Sequence, residues 1–522
     1  MSGTTLLIAV LAAVLATPAP AAAAAAPTAP YQTVITNATS AGKPVIRFDT
    51  AGNAVDAHDG DLAVFEGVYY LYGTSYDCGY HLRGAGTPFC GFKVYSSPDL
   101  VHWTDRGYLF DARTPPWQAR CAPPRYGCYR PHVVYNATTE RYVLWINGYD
   151  TPSGYHVFTA TTPVGPFVEG EPPKLARQGS APEFNNGDMD LFVGDDGTAY
   201  LAYSDIARGH AQVVEQLDTT YTTGTGQVVE VGVSGVEAPA LFRRGSTYYH
   251  LHGSTCAYCS SDTRYKVARS PLGPWSAPAL GGIPSASSCG GQPAFVATIP
   301  TTAGTTYLYG VDLWDNGARN QAVADYFWTP LAFTRAGTIE PLACPASVNL
   351  HLLVGAPGAQ DPVPDLDQHA GVAGFRHWCD IASGWSRLQS FTPSRSGVLS
   401  GASITAYQRG ATADLVVDLV AVDAQLRPTR TLHRTVVPRD TIGWSARQIQ
   451  VGPNVAVTAG ERYALVAGSA TTAGCYGIAF SDQAPYPGGG SAYQDGAAGA
   501  WTAEPGRTLK FHTTVTAPPA PH

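Results

Sequence analysis

Residues 236–254, VEAPALFRRGSTYYHLHGS, decide the fold class of this chain. Glu237 stands near the start, apolar residues then alternate up to Phe242, and a polar turn follows over 243–246. A second apolar run covers 248–252. Two short runs around a glycine-bearing turn predict a β-hairpin. The carboxylate of Glu237 is expected at the end of the first strand, far from that turn.

Four other stretches repeat this pattern of polar residue, apolar run, turn and tyrosine-containing return. They are DGDLAVFEGVYYLYGTS from Asp59, YRPHVVYNATTERYVLWINGY from Tyr129, GDMDLFVGDDGTAYLAYSD from Gly187 and GQPAFVATIPTTAGTTYLYGVDLW from Gly291. Further strand-like segments follow, and three of them share one pattern: VYSSPDLVHWT, VFTATTPVGPF and VARSPLGPWS. Five copies of roughly 50 to 70 residues predict a five-bladed β-propeller with four-stranded blades.

Composition supports an all-β chain of more than one domain. The chain has 522 residues, of which 56 are Gly and 41 are Pro, and 14% are charged. A chain of this length is too long to form one ordinary hydrophobic core, so more than one domain is expected. The abundant Gly and Pro favour turns between many short strands. A net charge of -8 does not indicate the basic surface that nucleic-acid binding usually requires. We expect a monomer that binds polysaccharide or oligosaccharide, without nucleic acid or membrane partners.

The chain divides into five predicted segments. A short apolar core over 6–15 and the alanines after it predict a secretory signal peptide and an extracellular location. No Lys or Arg precedes that core, so the true start could lie upstream. Alternating short strands after a Pro-rich and acidic linker predict a jelly-roll-like β-sandwich. The segments are 1–26 (signal peptide), 27–355 (propeller), 356–368 (linker), 369–516 (β-sandwich) and 517–522 (tail).

Ten cysteines in an exported chain predict disulfides. The close pairs Cys78/Cys90 and Cys121/Cys128 are expected to close loops, and Cys379 is expected to bond Cys475. Cys256 and Cys259 form a lone CxxC, for which a disulfide is favoured over zinc because no second pair has zinc-site spacing. No ligand cluster requires a metal or a cofactor, although a structural cation in the channel stays open.

The polar residues that begin the five copies are candidates for one shared site. The first strand of each propeller blade lines the central channel, so residues at equivalent starting positions meet at one mouth. These residues are Asp59, Arg130, Asp188, Glu237 and Gln292. Three carboxylates, an arginine and an amide in one pocket are costly through repulsion and desolvation. A fold does not need such a cluster, whereas a reaction does.

Sugar hydrolysis needs two carboxylates on either side of a glycosidic bond. One is a protonated acid whose pKa is raised by burial and by a neighbouring negative charge, and the other is an ionised base or nucleophile. A third carboxylate could orient and tune the acid. Aromatic rings, here Tyr129 and Trp314, could stack on the sugar, although Trp314 could equally be packed at the rim.

The motifs resemble those of glycoside hydrolase family 43, whose members are five-bladed inverting enzymes. The resemblance covers roughly residues 55 to 340 and recurs in order through AHDGDLAVFEGVYYLYG, RPHVVYNATTERYVLW, GDMDLFVGDDGTAYLAYS and VEAPALFRRGSTYYHL. EAPA, the D-M motif, the fifth-copy glutamine, GVDLWDN and YFWTPLAF are most similar to the branch that contains exo-β-1,3-galactanases.

The resemblance implies roles for individual residues. Glu237 matches the general acid, and Asp188 matches the carboxylate that raises its pKa. Asp59 stands at the position of the usual general base, whereas the galactanase-like branch uses a glutamine that matches Gln292. This chain has both, and Tyr129 stands where the branch has Glu. Asp59 as base suits the broader family, which includes arabinofuranosidases, xylosidases and galactofuranosidases.

Several alternatives remain open for the site residues. Asp61 could replace Asp59, and Asp190 could replace Asp188. Arg130 could pair with the acids or contact sugar. Gln292 could contact sugar or water, or support its loop, and the same alternatives of substrate contact or loop support hold for His58. The run 195–197 is expected to be a hairpin turn and not a metal loop.

Two classes of function compete at this point. The first is an exported inverting exo-glycosidase for galactose- or arabinose-type sugars, with α-L-arabinofuranosidase, β-xylosidase or galactofuranosidase activity as alternatives. The second is a non-catalytic carbohydrate-binding propeller, which would bind sugar without releasing a product. Three carboxylates in the channel favour the enzyme. The predicted β-sandwich is expected to bind glycan or to pack against the propeller.

Overall fold

The structure is a computed structural model that describes residues 29–517, apart from 83, 85, 180–184, 277–286, 315–320 and 497–498. The predicted signal peptide and the tail beyond 517 lie outside the described residues. Nearly all the regular structure in the described part is β-strand, as predicted. Helices there are short, and none has the length and apolarity needed to cross a membrane.

Among the described residues before 353, there are twenty strands and two short α-helices. The helices are α1 (Pro115–Cys121) and α2 (Ser287–Gly290). The strands are β1 (Tyr31–Thr36), β2 (Leu62–Phe65), β3 (Val68–Thr74), β4 (Phe92–Ser97), β5 (Thr104–Tyr108), β6 (Tyr129–Asn136), β7 (Arg141–Asn147), β8 (Tyr155–Ala160), β9 (Val168–Glu169), β10 (Asn186–Val193), β11 (Ala199–Asp205), β12 (Ala211–Leu217), β13 (Gly224–Glu230), β14 (Val236–Arg244), β15 (Thr247–Ser254), β16 (Thr263–Ala268), β17 (Gln292–Thr301), β18 (Gly304–Leu313), β19 (Asp325–Pro330) and β20 (Ser347–Leu352).

These strands form five antiparallel sheets, one for each sequence copy. The first three have four strands each, in the orders β2-β3-β4-β5, β6-β7-β8-β9 and β10-β11-β12-β13. The fourth, β14-β15-β16, has three strands among the described residues, and 277–286 after it lie outside them. The fifth has the order β1-β20-β17-β18-β19, so the predicted four-stranded pattern gains β1 there.

The first strand of each sequence copy packs against the first strands of two other copies. Contacts run from β2 to β6, β10, β14 and β17, and then from β17 back to β2. Each strand begins near its candidate residue, and the predicted hairpin is β14–β15 with the turn at Gly245–Ser246. The sheets are buried against one another, for example where Trp103 meets Trp328 edge to face at 5.8 Å between ring centroids.

The region after residue 365 contains the remaining fifteen strands. They are β21 (Leu366–His369), β22 (Cys379–Ile381), β23 (Trp385–Phe391), β24 (Gly397–Arg409), β25 (Leu415–Val422), β26 (Pro428–Val437), β27 (Arg447–Val451), β28 (Val455–Val457), β29 (Tyr463–Ser469), β30 (Cys475–Ile478), β31 (Phe480–Ser481), β32 (Ser491–Asp495), β33 (Trp501–Glu504), β34 (Thr508–Leu509) and β35 (Phe511–Thr516).

Two large sheets dominate this C-terminal region. One has seven strands and centres on β24 and β35, and the other has six strands in the order β26-β25-β29-β23-β32-β33. Strand β21 pairs with β35, so the last residues of the predicted linker belong to the first sheet. Apolar residues from both sheets, including Phe391, Leu399 and Leu415, form one buried cluster.

Five disulfides join all ten cysteines. They are Cys78–Cys90, Cys121–Cys128, Cys256–Cys259, Cys289–Cys344 and Cys379–Cys475. The predicted pairs, including the CxxC disulfide, are therefore confirmed. Three of the bonds close short loops of 12, 7 and 3 residues in sequence separation. Such bonds restrict the loops that they close.

Candidate active site

β-Bulges lie beside the candidate residues in four of the five innermost strands. The register shifts fall between Tyr129 and His132, Asn186 and Met189, Glu237 and Ala240, and Pro293 and Phe295. A bulge inserts an unpaired residue and re-aims the side chains around it. Asp59 and Arg130 also have positive φ values of 52° and 55°, which is strained backbone for residues with a Cβ.

One cavity of about 630 Å³ collects the predicted residues. Its lining includes seven of the eight candidates: Asp59, Tyr129, Arg130, Asp188, Glu237, Gln292 and Trp314. The volume is in the range of cavities that hold small ligands. The sequence copies therefore do bring their starting residues to one place.

Glu237 is held by two hydrogen bonds to the same oxygen. The backbone N–H of Cys256 donates to Oε1 at 3.0 Å, and Gln292 Nε2 donates to Oε1 at 2.8 Å. Burial, and then the negative charge of Asp188, raise the pKa of Glu237 to about 7. A carboxyl with this pKa is partly protonated at neutral pH and can donate a proton.

Asp188 connects three sheets beneath the cavity. Its Oδ2 accepts from Arg130 Nη2 at 3.1 Å and from the backbone N–H of Ala238 at 3.1 Å. Arg130 is 2% exposed and also donates to the carbonyls of Pro293 and Ala294. Arg130 therefore pairs with the acids, which is one of its two predicted alternatives, while also lining the cavity.

Both polar atoms of the Gln292 side-chain amide form hydrogen bonds. Its Oε1 accepts from Trp314 Nε1 at 2.9 Å, and its Nε2 donates to Glu237. Trp314 is 7% exposed and packs edgewise against Tyr76 and Tyr258, so it forms part of the cavity wall. The chain Trp314–Gln292–Glu237 orients the carboxyl of Glu237.

Asp59 reaches the same cavity from the first sheet. It is 7% exposed, and its backbone N–H donates to Asp312 Oδ2 at 2.9 Å. Its side chain lines the cavity, and a hydrogen bond from the Thr74 side chain partly offsets the effect of burial on its pKa. Burial is the main cause that raises the pKa of Asp59 to about 7, and the charges of Asp312 and Asp188 add to it.

His58 lies behind the cavity wall, so the expectation of a direct sugar contact is wrong and loop support is the better alternative. Its side chain is fully buried and stacks on Tyr326 at 4.9 Å between ring centroids. Nδ1 is 3.1 Å from Asp312 Oδ1, and Nε2 is 3.6 Å from Asp56 Oδ1. Although burial alone lowers it, these carboxylates raise the pKa of His58.

Asp61 and Asp190 lie in a different cavity, about 350 Å³ in volume and lined by the first strands of the five sequence copies. Asp190 accepts from the backbone N–H of Leu241 and is 3.1 Å from His132 Nδ1. Burial raises the pKa of Asp61 to about 6. The geometry therefore favours Asp59 and Asp188 over these alternatives for the candidate site.

The run 195–197 is a turn, as predicted. The N–H of Gly197 donates to the carbonyl of Gly194, and the N–H of Thr198 donates to Asp196 Oδ1. Within the described residues, no group of three or more His, Cys, Asp or Glu side chains is arranged to hold a metal ion.

A tyrosine wall, not predicted from the sequence, borders the cavity. Tyr80 and Tyr129 share a hydrogen bond at 2.8 Å, and Tyr258 contacts Tyr129 at 3.4 Å and Tyr76 at 3.3 Å between hydroxyl oxygens. Three of the four residues lie in or beside short disulfide-closed loops. Aromatic residues close to paired cysteines were the available signal.

Asp312 was also missed, although the motif GVDLW was noticed. It lies opposite Gln292 in the β17–β18 register, and it holds both the Asp59 backbone and His58. Counting from the hairpin turn to the end of the second strand would have pointed to it. The arrangement of one buried, partly protonated acid and a second carboxylate in the same cavity suits acid–base hydrolysis.

Known proteins share this chain's sequence motifs and fold. Residues 52–283 match the family model described as glycosyl hydrolases family 43. The β-D-galactofuranosidase xynD of Aspergillus niger is 30% identical over 249 residues, which cover 46% of this chain and 67% of that protein. An arabinoxylan arabinofuranohydrolase of Paenibacillus polymyxa is 24% identical over 280 residues, with 46% of this chain and 43% of the relative covered.

A solved structure extends the likeness of fold to most of the chain. The exo-β-1,3-galactanase 1,3Gal43A of Clostridium thermocellum superposes with a TM-score of 0.52 and 20% identity, covering 93% of this chain and 97% of that one. The family match includes Asp59, Asp188 and Glu237, all of which line the cavity. The chain therefore belongs to glycosyl hydrolase family 43 and is a glycoside hydrolase.

Proposed function

We propose that this protein is a secreted, inverting exo-glycosidase that releases galactose- or arabinose-type sugars from polysaccharide as a monomer. The observation that carries the proposal is the cavity in which Glu237, Asp188 and Asp59 meet from three sheets. The proposed acid has a raised pKa, and Asp59 supplies a further carboxylate in the same cavity. The proposed architecture is a five-bladed β-propeller followed by a β-sandwich.

The packing of the five N-terminal sheets supports the propeller. The first strand of each sequence copy contacts those of two neighbouring copies, and the contacts return from β17 to β2. The cavity that contains Asp61 and Asp190 is lined by these five strands, as a central channel would be. The two large C-terminal sheets with a shared apolar cluster support the β-sandwich.

Glu237 is the proposed general acid. It donates its proton to the leaving glycosidic oxygen while the bond from that oxygen to the anomeric carbon breaks. Asp188 stays paired with Arg130 and keeps negative charge beside Glu237, so the proton is retained until the leaving group needs it. Gln292 and the N–H of Cys256 fix the orientation of the carboxyl.

Asp59 is the proposed general base. It accepts a proton from the water whose oxygen attacks the anomeric carbon on the face opposite the leaving group. Its side chain lines the cavity that also contains Glu237, and the positive charge of Arg130 favours its ionised form; both observations support this role. Gln292 fits the role less well because both ends of its amide are already bonded.

The sugar class rests on relatives and on the motif resemblance. The two curated relatives are named for galactofuranosidase and arabinofuranohydrolase activities, and the structural neighbour for exo-β-1,3-galactanase activity. Asp59 as base favours the arabinofuranosidase, xylosidase and galactofuranosidase alternatives, whereas Gln292 favours the galactanase. Nitrophenyl glycosides of galactose, arabinose and xylose, tested beside β-1,3-galactan, distinguish these substrates.

The stereochemical outcome provides the first test. The wild-type protein is mixed with the best substrate from that screen, and the first product is followed by proton NMR before it mutarotates. An inverted anomer and release of one sugar at a time support the proposal. A retained anomer, or internal cleavage into long oligosaccharides, contradicts it.

The acid provides the second test. Glu237→Gln should lose roughly 10²–10⁴-fold in kcat on a substrate with a poor leaving group. A dinitrophenyl glycoside, which needs no protonation, should be hydrolysed at a rate much closer to that of the wild type. Full turnover of the poor substrate would show that Glu237 is not the acid.

A further inference from the structure

Residues 443–447 of the C-terminal region contact the loop after β3, which carries Tyr76 and Tyr80 of the tyrosine wall. We infer that residues 443–447, in the C-terminal region, position this wall and so help to set affinity for the sugar. The inference rests on the proposed function, since it assigns sugar binding to the 630 Å³ cavity. Trp444 and Asp77 are positioning residues in this account, because neither donates a proton to the substrate.

Asp77 is the centre of the contact and is only 6% exposed. Its Oδ1 accepts from the backbone N–H and from the hydroxyl of Ser445, both at 2.9 Å. Its carbonyl accepts from the N–H of Trp444 at 2.9 Å, and Arg447 forms an ion pair with its Oδ2. Three contacts to the buried carboxylate and one to the backbone carbonyl fix the two regions against each other.

Two glycines make the contact possible. A Cβ at Gly79 would lie 2.5 Å from the ring of Trp444, so the indole rests directly on the backbone there. A Cβ at Gly443 would lie 2.1 Å from Asp77 Oδ1. Neither position has room for a side chain, although the two belong to different regions of the molecule. Such mutual fit indicates a close interface.

Neighbouring residues in sequence and contacts between tyrosine hydroxyls connect this contact to the cavity. Asp77 follows Tyr76, whose hydroxyl contacts that of Tyr258, and Tyr80 bonds the hydroxyl of Tyr129. Tyr129 and Tyr258 line the cavity. Trp444 packs against the same apolar cluster that contains Tyr76 and Tyr80. Loosening the loop around Asp77 therefore displaces the hydroxyls that face the sugar.

The tyrosine wall touches Trp314, but the hydrogen bonds to Glu237 come from Cys256 and Gln292, which gives the inference a distinctive signature. Glu237, Asp188 and Gln292 belong to β14, β10 and β17, and the hydrogen bonds described above join them to one another, to Arg130 and to Trp314. A change at Trp444 should therefore raise KM while leaving kcat and the pH limbs nearly unchanged. A general loss of folded protein would lower the apparent kcat instead.

The experiment compares Trp444→Ala with Trp385→Ala in the full chain. Trp385 is also in the C-terminal region, but it is 38% exposed and stacks on Tyr493 away from Asp77. We expect Trp444→Ala to raise KM about tenfold, with kcat within twofold of the wild type. Trp444→Phe should recover most of the affinity, and Trp385→Ala should leave KM for a short soluble substrate unchanged.

Hydrogen exchange measures the same effect without substrate. Amides in 76–82 should exchange faster in Trp444→Ala than in Trp385→Ala, while those of β14 should stay protected. Ser445→Ala removes only one hydroxyl donor and replaces Trp444→Ala in the experiment if that variant fails to fold. We expect Ser445→Ala to raise KM about twofold to threefold. Equal KM and equal exchange in all variants would overturn the inference.

The two proposals can fail separately. If the wild-type protein released no sugar from any substrate, the proposed function would fall, whereas exchange in 76–82 would still show whether 443–447 holds the wall. If sugar were released but Trp444→Ala and Ser445→Ala kept the wild-type KM and exchange, only the inference would fall.

Discussion

Two Asp-x-Asp pairs, Asp59/Asp61 and Asp188/Asp190, have the same chemistry in sequence but different places in the structure. The first member of each pair lines the 630 Å³ cavity with Glu237, and the second lines the channel cavity beside His132. Burial raises the pKa of both Asp59 and Asp61. A raised pKa therefore does not identify a catalytic carboxylate here, whereas its neighbours and its access to a shared cavity do.

The largest difference should come from Asp59→Asn against Asp61→Asn. Loss of the proposed base should lower kcat/KM roughly 10²–10⁴-fold near pH 7, whereas Asp61→Asn should stay within a few-fold of the wild type. In the wild type, kcat/KM should rise as Asp59 ionises near pH 7 and fall as Glu237 loses its proton near pH 7, giving a narrow maximum.

The pH profile decides between the two candidate bases. Asp59→Asn should lose the acid limb and keep the alkaline one. If the acid limb survives in Asp59→Asn, Asp59 is not the base and Gln292 regains the role.

The comparison of Asp188→Asn with Asp190→Asn should give the second largest difference in kcat/KM. Burial and the charge of Asp188 keep the Glu237 pKa high, so a neutral amide in place of that charge should move the alkaline limb down by about one pH unit. We expect kcat/KM at pH 7 to fall about fivefold, because less Glu237 is protonated. Asp190→Asn should leave the limb in place, and an equal shift in both variants would contradict the comparison.

A third change should move the same limb in the opposite direction. Opening the loop with Cys256→Ser/Cys259→Ser should weaken the hydrogen bond from the Cys256 N–H, which favours ionised Glu237. The alkaline limb should then shift upward by a few tenths of a pH unit, with a KM increase of about threefold through Tyr258. Cys121→Ser/Cys128→Ser is the matched control, because the bonds that hold Glu237 come from Cys256 and Gln292 and not from that loop. A downward shift would contradict this contact.

The smallest effect is on the free energy of unfolding, and here we expect Asp59 and Asp61 to behave alike. A carboxyl whose pKa is raised by folding binds its proton more tightly in the native state, so stability falls as pH rises from about 4 to 7. Asp59→Asn and Asp61→Asn should each remove part of this loss, on the order of 2 kcal/mol at pH 8. Thermal unfolding at pH 5 and pH 8 measures it, and wild-type-like pH dependence in both variants would disprove the burial argument.

The local architecture was predictable because strand alternation and turn residues are local signals. The 236–254 hairpin, the five copies and the clustering of Asp59, Asp188 and Glu237 all followed from positions counted back from the turn. Family membership followed from the same motifs. The propeller, the catalytic roles and the division into domains remain predictions, and the experiments above test the catalytic roles.

The remaining features depend on contacts between segments far apart in sequence. Alternation alone places residues i and i+2 on one face, so only the bulges and the backbone near Asp59 separate Asp59 from Asp61 and Asp188 from Asp190. The burial of His58 depends on Asp312 and Tyr326, which belong to the fifth sheet. Nothing in the sequence around Gly79 or around Trp444 predicts that the two residues are in contact.

The pairing of β1 with β20 has a consequence for the order of synthesis. Tyr31 pairs with Leu352 and Thr36 with Ser347, so the fifth sheet needs both the beginning of the N-terminal region and its end. Such a distant pairing makes folding slow, because a very long loop must close first. A ribosome that has passed Glu237 has already made the proposed acid, the proposed base and Asp188. A nascent chain released before residue 347 should therefore carry these groups without β20, and we expect it to hydrolyse nothing.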